Sequence, residues 1–267
     1  MAATALDAVD RLALRLLEEK DGLAVLGLCG AQGSGKSTLA QGLQARMRAR
    51  GVASAILSID DLYLTKGERE TLAQAVHPLL RTRGVPGTHD VALGLRVLDA
   101  LAAGRAACLP RFDKAVDDRL PENAWPQAGA GLRLLILEGW CVGARAQEAG
   151  ALDAPVNALE RDEDGDGRWR RFVNAALAGE YQALFGRIDA LALLAAPGFD
   201  VVQGWRTQQE AALRAGGGSA VMSDAEIARF IQHYERLTRH ILDEMPARAD
   251  LVVALDAQRG VTAVRSR

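Results

Sequence analysis

Gly30-Ala31-Gln32-Gly33-Ser34-Gly35-Lys36-Ser37 matches G-x-x-x-x-G-K-[ST] at every fixed position, and Thr38 follows. These residue types at this spacing bind a nucleoside triphosphate. Glycines take backbone angles closed to other residues, so the N–H groups from Gly30 to Thr38 can close around phosphates, with the positive end of the next helix behind them. Lys36 is placed to reach the β- and γ-phosphates, and the Ser37 hydroxyl to hold Mg²⁺.

Carboxylates at two other points suit phosphoryl transfer. Asp60 and Asp61 follow one apolar run, and Glu138 ends another, Leu134-Leu135-Ile136-Leu137. In phosphate-loop proteins a carboxylate at such a strand end is linked to the metal, which makes Glu138, and with it Asp61, candidate partners of Ser37 around Mg²⁺. A carboxylate at a neighbouring strand tip can take the proton of an attacking hydroxyl, a role for Asp60 with Asp61 as the alternative. Charge that builds on the transferring group calls for a mobile cation. Arg206, with Arg214 behind it, lies in a segment from about 197 to 222 that runs into Gly216-Gly217-Gly218, so a lid with a hinge is expected there.

These groups need a scaffold. The chain has 267 residues, 49% of them hydrophobic and 25% charged, enough for one sizeable core in a single domain. A net charge of −2 gives no global basic field for nucleic acid. Cys29, Cys108 and Cys141 are odd in number and form no C-x-x-C pair, so a reducing, cytoplasmic setting fits better than a disulfide framework. Met1 to Lys20 reads as an amphipathic helix, and no apolar run is long enough to span a membrane.

Apolar runs at Leu23–Leu28, Ala53–Ile59, Arg133–Glu138, Asp189–Ala195 and Asp250–Leu255 read as about five buried strands. They alternate with helical patterns at Ser37–Arg50, Val91–Ala102, Trp169–Phe185, Val201–Ala215 and Ser223–Leu242. The expected fold is α/β, a P-loop NTPase three-layer sandwich with a mainly parallel sheet and helices on both faces. Thr65 with Glu68, and Ser223 with Glu226, read as capping boxes. The gap between the second and third strands is far longer than one crossover needs, so an acceptor-binding insertion is expected at about 62–130. Asp162-Glu163-Asp164-Gly165-Asp166-Gly167 imitates the start of a calcium loop, but Val173 stands where the bidentate Glu belongs, and a solvated turn is expected.

Several segments of the chain resemble plant-type D-glycerate 3-kinases, within the phosphoribulokinase and uridine kinase-like group. They are Ser58-Ile59-Asp60-Asp61-Leu62-Tyr63-Leu64-Thr65, Gly84-Val85-Pro86-Gly87-Thr88-His89-Asp90, Pro110-Arg111-Phe112-Asp113-Lys114 and Glu138-Gly139-Trp140. The resemblance runs from about Leu23 to Leu255. It implies ATP-dependent phosphorylation of a hydroxyl on a small metabolite, D-glycerate first. It also implies that Asp60 matches the catalytic aspartate and that Thr88, His89 and Asp90 fall among acceptor-binding residues. Leu62 stands where Phe is expected, and Phe112 where Tyr is common, which removes a phenolic hydroxyl.

An anionic acceptor would need cations, and of Arg81, Arg83, Arg111 and Lys114 in the insertion Arg111 and Lys114 are the candidates, whereas His89, Asp90 and Asp113 could hold a neutral acceptor through its hydroxyls. A nucleoside, pantothenate or a sugar phosphate therefore stays open as acceptor, as does an ATPase with none. A GTPase would need Asn-Lys-x-Asp, and none of Asn123, Asn157 or Asn174 precedes lysine. Nothing in the residues indicates an oligomeric state.

Overall fold

The structure is a computed structural model that describes residues 4–215 and 223–267. The order along the chain is α1 (Ala5–Glu19), β1 (Ala24–Gly30), α2 (Lys36–Ala49), β2 (Ser54–Ser58), α3 (Lys66–Ala75), α4 (Val91–Ala102), β3 (Ala107–Cys108), β4 (Phe112–Asp113), β5 (Asp118–Arg119), β6 (Gln127–Ala128) and β7 (Leu134–Gly139). Then come α5 (Ala158–Glu163), α6 (Arg168–Ala178), α7 (Glu180–Phe185), β8 (Ala190–Ala195), α8 (Asp200–Ala215), α9 (Asp224–Glu244), β9 (Leu251–Leu255) and β10 (Val261–Ser266).

Every residue of β1 and β7 is buried, because both are continuous apolar strands covered on two faces. They lie inside one six-stranded sheet of order β10-β9-β8-β1-β7-β2, in which only β10 runs antiparallel to its neighbour. Alternate strand residues point to opposite faces. Leu26, Leu28 and Ile136 pack with Val9, Leu12, Leu43 and Met47 of α1 and α2. Val25, Leu135 and Leu137 pack with Leu98, Leu101, Leu184 and Ile241 of α4, α7 and α9. The three-layer α/β sandwich expected from the sequence is thus present.

The sheet has six strands where the apolar runs indicated about five. β10 is an exposed edge strand of mixed polar and small residues, so it carries no buried run to announce it. The helical stretch expected at Trp169–Phe185 is two helices, broken at Gly179, whose φ of −95° and ψ of −110° are not helical. α1 begins behind a capping box of Thr4 and Asp7. The two expected boxes, Thr65 with Glu68 and Ser223 with Glu226, are formed at α3 and α9.

The turn before α6 is not solvated at its centre. Asp164 is fully buried; it accepts hydrogen bonds from Trp169 N at 2.7 Å and Arg170 N at 3.2 Å, and pairs with Arg170 Nη1 at 2.9 Å. It is a helix cap fixed by an arginine.

Between β2 and β7 lie α3, α4 and two hairpins, β3 with β6 and β4 with β5. Leu79, Leu80 and Val85 fasten this segment to Leu159 and Trp169 in a small core of its own. Gly216-Gly217-Gly218 and the side chain of Arg214 lie outside the described residues, so the expected hinge does too. Among the described residues no helix is long and apolar enough to cross a membrane.

Candidate active site

The strand register assembles the site. Leu28 of β1 stands beside Glu138 of β7, and Glu138 stands beside Ser58 of β2, so the ends of three strands present the glycine loop, Glu138 and Asp60 side by side. In the loop, Gly33 and Gly35 have φ of +77° and +88°, a region that favours glycine. A Cβ on Gly33 would also lie 2.6 Å from Cβ of Trp205, which is buried and donates from Nε1 to Ala257 O at 2.7 Å. No side chain caps α2, so its first-turn N–H groups face the loop as an anion site. Ser34 Oγ and both amide atoms of Gln32 are buried without a hydrogen-bond partner among the described residues, as donors and acceptors awaiting a polar ligand would be.

Ser37 Oγ donates to Glu138 Oε1 at 3.1 Å, while Glu138 Oε2 is buried with no partner among the described residues. A hydroxyl beside an unsatisfied carboxylate oxygen fits a hard divalent cation such as Mg²⁺, which takes few protein ligands and completes its shell with phosphate and water.

Ile59–Leu62 form a single 3₁₀ turn, with Ser58 Oγ accepting from Asp60 N at 3.3 Å, and this turn sends the two aspartates to different places. Asp60 Oδ1 accepts from Tyr63 Oη and Oδ2 from Lys114 Nζ, both at 2.7 Å. Burial alone would raise its pKa, but Lys114, Lys36 and the two hydrogen bonds together hold it well below the usual carboxylate range. Asp61 accepts from Phe112 N at 3.1 Å and from Arg111 Nη1 at 2.9 Å. Burial pushes its pKa up, with Arg111 opposing. Both Asp61 oxygens thus tie the β4–β5 hairpin to the turn after β2, while Asp61 lines one groove with Ser37 and Glu138, the other two residues expected at the metal.

A cavity of about 140 Å³ opens between the loop and Asp60. Lys36, Arg83, Lys114 and Arg206 line it with Asp60, and Tyr63, Trp140, Phe230 and Tyr234 supply an aromatic wall. A larger groove of about 650 Å³ runs along the outer edge of β2 past Asp61 and Arg111, but it contains neither Lys36 nor Asp60. Arg206 is packed over the Phe230 ring, 5.7 Å from its centroid.

Of the six residues expected at the acceptor, Lys114 alone lines this cavity. Thr88 is fully buried, donating to Val85 O at 2.7 Å and accepting from Gly84 N at 3.0 Å. His89 is buried too, with Nδ1 2.5 Å from Tyr181 Oη and its ring stacked 4.7 Å from Tyr63; burial lowers its pKa to about 4, so the imidazole stays neutral. Asp90 caps α4 by accepting from Leu93 N at 2.8 Å and pairs with Arg119 at 3.3 Å. Asp113 accepts from Ala115 N at 2.8 Å in the hairpin turn, and Arg111 is held by Asp61. These five make contacts within the protein, although His89 Nε2 is buried with no hydrogen-bond partner among the described residues.

Arg83 takes their place at the cavity. It is paired with Asp117, and its guanidinium lies over Phe112, 5.5 Å from the ring centroid. Its backbone is pinned by Tyr234 Oη, which donates to Arg83 O at 3.0 Å, and by Trp140 Nε1, which donates to Gly84 O at 2.9 Å. Gly84 has φ +131°, and a Cβ there would sit 2.0 Å from Tyr234 Oη. Of the four cations in the insertion, sequence put Arg111 and Lys114 first and did not tell Arg83 from Arg81, which is spent on Glu70 at 2.7 Å and mostly exposed. Phe112, where a phenol was missed, is the platform for Arg83 and packs edge-on to Tyr63 at 5.1 Å.

No protein-family model matches the chain. It is 36% identical over 220 residues to an uncharacterized kinase, mug58, of Schizosaccharomyces pombe, covering 79% of this chain and 78% of that protein. It is 32% identical over 239 residues to the chloroplastic D-glycerate 3-kinase of Arabidopsis thaliana, covering 84% of this chain but half the length of the plant enzyme. The solved structure of D-glycerate 3-kinase from Cryptococcus neoformans superposes with a TM-score of 0.83 over 98% of this chain and 99% of that one, at 24% identity, a likeness of fold.

Proposed function

The chain belongs to the family of ATP-dependent P-loop kinases that includes the Arabidopsis D-glycerate 3-kinase, and from that premise we propose that it transfers the γ-phosphoryl group of ATP to a hydroxyl of D-glycerate. One observation carries the choice of acceptor. The cavity beside Asp60 is about 140 Å³ and is walled by four cationic side chains. Sites for drug-sized ligands run to about 300–1,000 Å³, so a three-carbon hydroxy acid suits this one better than a nucleoside or pantothenate. Its carboxylate would meet the planar guanidinium of Arg83, which also pairs with Asp117, and the point charge of Lys114.

In this reading the glycine loop and Lys36 hold the triphosphate, and Arg206 stands over the transferring group. Ser37 and Glu138 would hold Mg²⁺, which neutralises phosphate charge when bound. Asp60 orients the acceptor hydroxyl and takes its proton as the oxygen attacks phosphorus in line. Trp140, Phe230 and Tyr234 exclude water that would otherwise compete as acceptor.

Arg83→Leu is expected to raise the KM for D-glycerate about 10- to 100-fold with a much smaller change in the KM for ATP, as loss of a fork to a carboxylate should. Steady-state kinetics with each substrate varied in turn reads the split; equal effects on both KM values would make Arg83 a structural residue. The function itself is tested by ADP release with Mg²⁺ against D-glycerate, uridine, pantothenate and ribulose 5-phosphate. D-Glycerate is expected to give a kcat/KM about 100-fold or more above the others, the scale on which buried polar groups left unpaired reject a wrong substrate. Faster turnover of a larger acceptor would remove glycerate from the reading.

A further inference from the structure

Both oxygens of the proposed base are occupied. Tyr63 Oη donates to Asp60 Oδ1 and Lys114 Nζ to Oδ2, each at 2.7 Å, so each oxygen keeps a lone pair but is less basic toward an acceptor hydroxyl than it would be with its donor gone. The two donors differ in how they are held. Tyr63 is buried, stacked against His89 at 4.7 Å and edge-on to Phe112 at 5.1 Å. Lys114 stands at the turn between β4 and β5 with its side chain 60% exposed.

The base of that hairpin is tied to the rest of the protein. Asp61 holds Arg111 and Phe112 N, Asp117 pairs with Arg69 at 3.0 Å and with Arg83, and Arg119 Nη2 donates to Tyr63 O at 2.8 Å. A fixed hairpin therefore carries one long, flexible cation whose ammonium rests on the base and lines the acceptor cavity.

We propose that Lys114 is a latch on Asp60 that an anionic acceptor opens. Without acceptor the ammonium occupies Oδ2 and keeps Asp60 from activating water against bound ATP. When a small carboxylate enters, the ammonium passes to it and Oδ2 is released beside the acceptor hydroxyl. The acceptor O–H bond then breaks with its proton going to Oδ2. The new O–P bond forms, and the bond from phosphorus to the bridging oxygen breaks with its electron pair leaving on ADP. Lys114 is thus a positioning residue that ties release of the base to the presence of the right charge. The inference rests on the kinase reading above.

The test compares wild type, Lys114→Met and Lys114→Arg in two assays, ATP hydrolysis with no acceptor and ADP release with D-glycerate. Because Lys114 is largely exposed, neither substitution removes core packing. Lys114→Met is expected to raise acceptor-free hydrolysis about 10-fold while raising the KM for D-glycerate about 10-fold, and Lys114→Arg to restore low hydrolysis. A KM that rises with hydrolysis unchanged would overturn the latch and leave Lys114 a simple carboxylate contact in a kinase. Hydrolysis that falls in Lys114→Met would also overturn it. If no acceptor is phosphorylated by wild type, the kinase reading fails, and the hydrolysis comparison still decides whether Lys114 restrains Asp60.

Discussion

Asp60→Asn is expected to lower kcat by about 100-fold or more while leaving ATP affinity within a few-fold of wild type, the range seen when a positioned general base is removed. The amide keeps the shape of the carboxylate and can still accept from Tyr63, so the loss reports proton transfer and charge and not packing. Two features favour Asp60 over its neighbour. It lines the cavity that holds Lys36, and Asp61 lines the separate groove along β2 instead. Asp61→Asn is accordingly expected to act through the hairpin, raising the acceptor KM more than it lowers kcat. Kinetics of the two variants side by side, with ATP binding measured separately, decide the matter. An active Asp60→Asn beside an inactive Asp61→Asn would reverse the assignment.

Lys36→Ala is expected to reduce kcat/KM for ATP by about 100- to 1,000-fold, the cost of removing one preorganised donor at a site of developing charge. Glycine-loop N–H groups and the end of α2 would still attract the triphosphate, so the larger share of the loss should fall on turnover. Lys36 also lies near enough to Asp60 to help hold its pKa down. Its removal therefore disturbs the base as well as the phosphates, and the double variant Lys36→Ala with Asp60→Asn is expected to lose less than the product of the single losses. Strict multiplicativity would place the two groups in independent roles. Near wild-type kinetics for Lys36→Ala would remove the triphosphate site itself.

The donor half of the site was legible in the chain because its geometry is local. A glycine loop between a buried strand and a helix needs only contiguous residues, and Glu138 is marked by the apolar run it ends. The sheet could be read for the same reason, apart from β10, which as an exposed edge strand has no periodic apolar signal. The acceptor half could not be read this way. Thr88, His89 and Asp90 stand out as polar residues in a glycine-rich loop, yet the partners Tyr181 of His89 and Arg119 of Asp90 are brought close by folding alone. Arg83 and Lys114 reach the cavity while Arg81 and Arg111 do not, because Glu70 and Asp61 hold the latter two elsewhere. All four cations are paired with carboxylates, so which of them lines the cavity depends on where folding puts each pair, and that is a tertiary fact.

The most direct measurement is a ³¹P NMR time course of ATP, Mg²⁺ and D-glycerate with the enzyme. A phosphomonoester resonance of phosphoglycerate is expected to grow in step with the decay of the γ-phosphate signal, with little inorganic phosphate. Release of inorganic phosphate at the same rate with and without D-glycerate, and no phosphomonoester, would contradict phosphoryl transfer to a small hydroxy acid at Asp60.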